Sequence, residues 1–349
     1  MSIASQGLRP ISVVILGAGG YLGSALCAFF HALPGHTVIA VARRPPNHAR
    51  YGRYVRADVF TDDWAPQIVP AGPLILINCA FDFTAVASGG FAEKYARLEH
   101  NIAALAQQDG TRLINVSTMS AYRGCVSDYG REKLFVEELF ARYRGLSVRP
   151  GLIVSWGSPG TAFLNLISTV RGAKLVPLLS APNSGFYICD LDAVVLGIFG
   201  LTAAAPKRAH TLSFCYRQRL KLREVLRIIE GQLGVNRILV PLPWRVAYLL
   251  LRAKESVLGV SKVRADSVRD FATPNPLPAA RGYFARLVAR VRADLESPSH
   301  DGAFTFLEPR RSQTRPAALE PEVMAALAGM RDHKNRNGPP AFNDQKPHL

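Results

Sequence analysis

Short apolar, β-branched runs alternate along this chain with longer segments in which apolar residues recur every three or four positions. Ile11–Leu16 (ISVVIL), Thr37–Ala42, Leu74–Asn78, Arg112–Ser117 and Leu146–Val148 read as strands. Ser24–Leu33, Phe91–Gln108 and Ser127–Tyr143 carry the helical period. Strand followed by helix, repeated, predicts an α/β fold: a doubly wound parallel sheet with helices on both faces. In such sheets a ligand sits at the carboxyl ends of the strands, near the point where the strand order reverses.

After Arg149-Pro150-Gly151 the rhythm loosens. Leu212–Cys215 reads as a short strand and Leu222–Leu233 as an amphipathic helix. An apolar helix around Val246–Leu251 follows Val240–Trp244 and is bounded by Arg245 and Arg252. It either packs inside a C-terminal lobe or rests on a membrane surface. From residue 297 the chain is rich in Pro, Arg, Asn and Gly, with one short helical pattern at Pro321–Met330. This divides the chain into a nucleotide-binding domain over 9–180 with contributions from 181–215, a smaller substrate lobe over 216–296, and a largely disordered basic tail over 297–349.

No apolar run is long enough to span a bilayer, and no secretory leader is evident. The five cysteines are scattered without a Cys-x-x-Cys pair, which points to free thiols in a reducing cytoplasm rather than disulfides or a metal site. The net charge of +16 would suit nucleic acid or an anionic surface. No nucleic-acid-binding motif accompanies it, so it is read as solvated basic faces that also favour anionic cofactors and substrates.

The first strand ends in GAGGYLG, with Gly17, Gly19, Gly20 and Gly23 ahead of a helix. Glycines let such a turn bend sharply and approach a pyrophosphate, while the helix start offers free N–H groups to the anion. Glycines also occur in βα turns simply to make the turn. A second pattern is Tyr129-Gly-Arg-Glu-Lys133, whose tyrosine and lysine share one helix face. A nearby ammonium would stabilise a phenolate, lower the tyrosine pKa and equip it for proton transfer. The spacing also arises by accident on amphipathic helices. It gains weight here because the pair follows a strand ending in Ser117-Thr118-Met119-Ser120, whose hydroxyls can face the cleft.

In this order the motifs resemble the extended short-chain dehydrogenase/reductase superfamily, in particular its NAD-dependent epimerase/dehydratase group acting on nucleotide sugars. The resemblance implies a Rossmann-type sheet over about residues 11–260. It assigns the catalytic roles to Thr118, Tyr129 and Lys133, with Ser117 or Ser120 as substitutes for Thr118. It assigns cofactor contacts to Gly17, Gly20, Tyr21, Leu22 and Gly23, to Asp58 and Val59 after the third strand, and to Cys79 and Ala80 after Asn78. Ser117, Lys133, Arg149 and Pro150 complete that set. Tyr187 to Asp192 resembles a further family segment, and the Leu222–Leu233 helix one in the family's substrate lobe. The resemblance further implies a homodimer through the helix bearing Tyr129.

Three features depart from the pattern, one of them the basic tail beyond about residue 260, which has no counterpart in the family. Thr118 and Tyr129 lie only eleven residues apart, which trims a substrate-covering loop, and the family's helix asparagine has no clear counterpart, Asn101 being wrongly spaced. Cofactor choice rests on the second strand's end. An acid there would hold the ribose 2′-hydroxyl of NAD, but Ala42 occupies the place, followed by Arg43 and Arg44. Arginine suits a 2′-phosphate, so NADP is expected over NAD. The sequence thus predicts a cytoplasmic NAD(P)-dependent oxidoreductase or epimerase of a nucleotide-sugar or sugar-like substrate. Alternatives are an NADPH-dependent reductase or dehydrogenase of a lipid- or sterol-like substrate, with peripheral membrane contact, and a non-catalytic dinucleotide sensor. Retention of both Tyr129 and Lys133 favours an enzyme.

Overall fold

A computed structural model describes residues 10–46, 50–82, 90–155, 162–181, 184–203, 210–258, 265–273 and 283–296. The expected basic tail, with its helical pattern at Pro321–Met330, lies outside the described residues. The chain runs β1 (Ile11–Leu16), α1 (Tyr21–Ala32), β2 (His36–Ala42) and β3 (Arg53–Arg56), then through a single 3-10 turn at Ala65–Gln67. Next come β4 (Leu74–Asn78), α2 (Phe91–Ala106), β5 (Arg112–Val116), α3 (Asp128–Arg142), β6 (Leu146–Pro150), β7 (Leu152–Val154) and α4 (Ala162–Gly172). There follow β8 (Leu175–Ser180), β9 (Phe186–Asp190), α5 (Leu191–Ala203), β10 (Thr211–Phe214), β11 (Arg219–Leu220) and α6 (Leu222–Leu233). The described chain ends with β12 (Ile238–Pro243), α7 (Trp244–Leu258), α8 (Ala265–Ala272) and α9 (Tyr283–Glu296).

Seven parallel strands form the main sheet in the order β10-β6-β5-β4-β1-β2-β3. This is the Rossmann-type α/β architecture that the alternating pattern predicts. The strand order reverses between β1 and β4, and their carboxyl ends open the crevice. Alternate residues of β1 feed opposite layers. Val13 and Ile15 pack with Leu26 and Phe30 of α1, whereas Val14 and Leu16 pack with Leu98 and Ile102 of α2 and Leu139 of α3. Burial on both faces is why the strand is apolar at nearly every position.

Two smaller sheets stand apart: β11-β9-β7, and a parallel pair of β8 with β12. The second joins a strand ending at Ser180 to one starting at Ile238, so the lobe carrying it draws on both parts of the sequence. Elements β3, β7, β8, β9 and α5 escape the periodicity reading because they are short, edge-like or, in α5, apolar on nearly every face. All five thiols are free. Among the described residues no helix is long and apolar enough to cross a membrane, and no cluster of potential metal ligands exists.

Candidate active site

The glycine turn is shaped by close backbone contact. Gly17 adopts a left-handed φ of 73°, and a Cβ on it would lie 2.8 Å from the Ala80 backbone. A Cβ on Gly23 would lie 2.3 Å from the Gly17 carbonyl oxygen. Neither position has room for a side chain, so β1, the first turn of α1 and the Cys79-Ala80 segment meet at one point. The amide of Cys79 donates to the Leu16 carbonyl at 2.9 Å, and that of Ala80 to the Asn78 side chain at 3.1 Å. Asn78 is held in turn by buried Asn115, and Asn115 by Ser147, across three neighbouring strands. No side chain caps α1 at Gly20, while Gly19 and Gly20 are exposed. The helix start therefore presents its N–H groups and positive dipole end to the crevice. Leu22 is buried beneath the turn, and burial pushes the Tyr21 phenol up to about 12.

Across the crevice, β5 and the first turns of α3 bring the expected hydroxyl, phenol and ammonium together. The Thr118 hydroxyl lies near the Tyr129 phenol and favours its ionised form. Lys133, one turn further along α3, is buried and donates from Nζ to the Val116 carbonyl at 3.0 Å. Phe81, which sequence reasoning missed, lies between them. Its ring meets Tyr129 edge-on with centroids 5.1 Å apart, and Lys133 Nζ stands 4.7 Å from its centroid. Such a contact with the ring face is electrostatically favourable. Gly130 permits the approach of the preceding loop, since a Cβ there would lie 2.4 Å from the Ser120 carbonyl oxygen.

The electrostatics differ from the expectation of an acidified tyrosine. Burial pushes Tyr129 up to about 12, assisted by the nearby carboxylates of Asp270 and Glu132 and opposed by the Thr118 hydroxyl. Burial also lowers Lys133 to about 8, against the pull of Cys79, Glu132 and Glu137. Desolvation outweighs pairing here because the lysine head is spent on a backbone carbonyl and an aromatic face. Cys79 is likewise pushed up to about 12 by burial, which makes it a poor nucleophile.

A second group of site residues comes from α8 and has no local signature. Asp266 accepts from the amides of Asp128 and Tyr129, at 3.2 and 2.9 Å, and so caps α3 from a distant part of the chain. Asp270 lies near the hydroxyls of Ser120 and Ser127 and close enough to the phenol to influence it. Burial raises its carboxyl to about 6, with Asp266 adding to the rise and the two serines and Arg269 opposing it. Ser127 also caps α3 in its own right, accepting from the Gly130 amide at 2.9 Å.

Other expected cofactor residues fall into two groups. Arg43 and Arg44 are exposed after buried Ala42, and Arg43 lies 3.8 Å from Asp58 at the rim. Asp58 itself accepts from the Phe60 amide, and Val59 is buried, its carbonyl held by Trp64. Ser117 and Arg149 are directed elsewhere. The Ser117 hydroxyl and both faces of the Arg149 fork bond Glu137 of α3, the latter at 2.7 and 2.6 Å. Those polar groups hold the helix to the sheet, and Pro150 is buried beside them. Asn101 is also structural: its oxygen accepts from the Trp64 and Ala65 amides, pinning the loop after β3. In the Tyr187–Asp192 segment, Asp190 takes the Ala193 amide at the start of α5.

Comparison with known proteins places this geometry. The fold is similar to that of MoeE5 solved with UDP-glucose and NAD, at 20% identity over 81% of this chain and 99% of that one, with a TM-score of 0.50. A UDP-glucuronic acid 4-epimerase from Bacillus cereus, solved with NAD, is similar at 14% identity over 79% and 99%, with a TM-score of 0.53. An epimerase from Methanothermobacter thermautotrophicus is similar at 16% identity over 82% and 94%, with a TM-score of 0.53. At these identities the likeness speaks for the fold. No curated protein matches the chain in sequence. Residues 13–154, which hold the glycine turn and the Thr118–Tyr129–Lys133 cluster, match the model of the NAD dependent epimerase/dehydratase family.

Proposed function

We propose that the protein is an NAD(P)-dependent enzyme of the epimerase/dehydratase or reductase type, acting at a hydroxyl or carbonyl carbon of a nucleotide-sugar or sugar-like substrate. The observation that carries this reading is the Tyr129 phenol beside the Thr118 hydroxyl, one helical turn from Lys133 and across the crevice from a glycine turn with no room for side chains. The turn fits a dinucleotide. Gly17, Gly20 and Gly23 with the start of α1 would hold its pyrophosphate, Asp58 and Val59 would lie toward the adenine, and Cys79 and Ala80 along its length. When bound, the nicotinamide would supply hydride exchange at its C4.

Tyr129 gives or takes the proton of the reacting oxygen. At its raised value it rests protonated at neutral pH, poised as a donor. Thr118 orients the same oxygen, and Lys133 holds ribose hydroxyls from one turn further along α3. Ala42 followed by exposed Arg43 and Arg44 supports a preference for the 2′-phosphate of NADP. The lobe around α7 and α8 covers the substrate. Five free thiols suit action in a reducing cytoplasm, and α3 is the helix through which a homodimer would form. The short Thr118–Tyr129 interval supports a second reading, reduction of a less polar, lipid-like substrate.

The test is a screen of UDP-hexoses and of apolar ketones with NAD(H) and NADP(H), run on wild type and on Tyr129→Phe. Interconversion without net change of cofactor identifies an epimerase, and net consumption a reductase. Loss of the phenol is expected to lower turnover by roughly 10²-fold or more. Unchanged turnover would overturn the assignment.

A further inference from the structure

The unit formed by β8, β12 and α7 exposes apolar side chains on a scale the rest of the described surface does not show. On α7, Val246, Leu249, Leu250, Ala253 and Val257 are exposed, with Leu249 at 65% and Val257 at 81%. Their spacing places them in one stripe along the helix. The inward face is used otherwise: Ala247 is buried, Leu251 is half-buried, and Glu255 accepts from the Ala265 amide at 2.8 Å. In the neighbouring strand pair, exposed Leu175 and Pro177 stand in register with exposed Ile238 and Val240.

The charge around this surface has one sign. Arg245 and Arg252 flank the stripe on one side of α7 and Lys254 on the other, all three exposed. Lys174 and Arg237 precede the two strands. Residues 174–181 and 237–254 contain no aspartate or glutamate at all. The nearest acid in sequence, Glu255, accepts from the Ala265 amide and lies 3.9 Å from Arg252, whose guanidinium remains exposed. An apolar stripe bordered on both sides by cations, on a helix lying flat against its domain, is the arrangement that seats a helix in the headgroup region of an anionic bilayer. A second copy of this chain fits poorly, since a two-fold contact would press like-charged borders together.

We propose that α7, with the exposed face of β8 and β12, is a docking surface for anionic lipid membranes. The side chains of Leu249 and Leu250 enter the acyl boundary, while Arg245, Arg252 and Lys254 meet lipid phosphates. This is peripheral attachment and is independent of the reaction assigned to the Tyr129 site.

The experiment is flotation of the full-length protein with vesicles of phosphatidylcholine alone or containing 30–40% phosphatidylserine (roughly the anionic share that gives a strong surface potential). Binding is expected only to the anionic vesicles, weakened by high salt. Arg245→Glu with Arg252→Glu is expected to cut partitioning by more than tenfold, at roughly fivefold per cation. Leu249→Glu with Leu250→Glu should abolish it while leaving the melting temperature and the sedimentation coefficient unchanged. Failure to float, or flotation indifferent to both variants, overturns the proposal. A fall in melting temperature, or a change from dimer to monomer, on the leucine substitutions also overturns it, because the face would then be covered by the chain's own tail or by a second copy.

Discussion

The carboxylate of Asp266 accepts the backbone amide of Tyr129 at 2.9 Å, so α8 caps the helix that carries the candidate catalytic phenol. The bond joins residues 137 positions apart and sets α8 against the first turn of α3. A negative charge there also meets the positive dipole end of the helix. Asp266→Ala is expected to cost about 1–2 kcal/mol in urea unfolding. It should lower kcat by several-fold, because the phenol loses its fixed position. Asp266→Asn, which can still accept the amide, should restore most of both. Equal stability of the alanine variant and wild type would refute the capping role.

Asp270 makes stability depend on pH in an unusual direction for a carboxylate. Its folded value of about 6 lies above the ordinary 3.8, so folding favours the protonated form. The favourable contribution is complete below about pH 4 and is lost as the pH rises through about 6. At pH 7.5 the ionised group is a net cost, set by burial among Ser120, Ser127, Tyr129 and Asp266 and eased by Arg269. Asp270→Asn should therefore stabilise the protein by on the order of 2 kcal/mol at pH 7.5 and by nothing near pH 4. Urea denaturation at the two pH values checks the sign. A variant less stable at pH 7.5 would reverse it.

Lys133 sets stability against activity. Its value of about 8 lies below the ordinary 10.5, so its charged form is disfavoured by folding. The cost is full below about pH 8 and is relieved as the pH rises from there to about 10.5. Lys133→Met should raise resistance to urea near neutral pH and bring that benefit to zero above about pH 10.5. The same substitution should lower kcat/KM by roughly 10²-fold through loss of the ammonium from the site.

Gly23→Ala should be destabilising, although alanine usually improves a helix by about 1 kcal/mol. Its Cβ would lie 2.3 Å from the Gly17 carbonyl, a backbone atom that cannot swing aside. A loss of about 1–3 kcal/mol follows from overpacking. Dinucleotide binding, followed by fluorescence quenching, should fall with it. Retention of wild-type affinity would show that this turn does not hold the pyrophosphate.

Cofactor selectivity should follow Arg43 and Arg44. Arg43→Glu with Arg44→Ser is expected to weaken NADPH binding at least tenfold with little change for NADH, by removal of the guanidinium partners of a 2′-phosphate. Tighter binding of NADH than NADPH by wild type would remove the preference altogether.

Much of the sheet could be read from the chain. Ile11–Leu16 and Leu74–Asn78 form strands with the expected ends, because an apolar, β-branched run is a local property of the backbone and its side chains. Helix α1 begins at Tyr21, three residues earlier than its pattern suggests, because Gly20 already serves as its N-cap. The Thr118, Tyr129 and Lys133 cluster was also legible, since spacing on one strand end and one helix brings those groups to the same side of the crevice.

Long-range packing settled the remaining questions. Whether Arg149 meets a cofactor or Glu137 depends on how α3 lies on β6, and the structure sends the guanidinium to Glu137. Whether Lys133 acidifies Tyr129 depends on what desolvates them, and burial beside Phe81 and α8 raises the phenol instead. Asp266 and Asp270 carry no local pattern that would mark them. The amino-acid order alone specified the strands, the glycine turn and the chemical types at the site, all set by interactions over a few residues. Which charges are buried, which amides are capped and which apolar face stays open followed from the approach of α7 and α8 to α3. That approach is a property of tertiary packing, because desolvation and hydrogen-bond partners depend on every element that closes around a group.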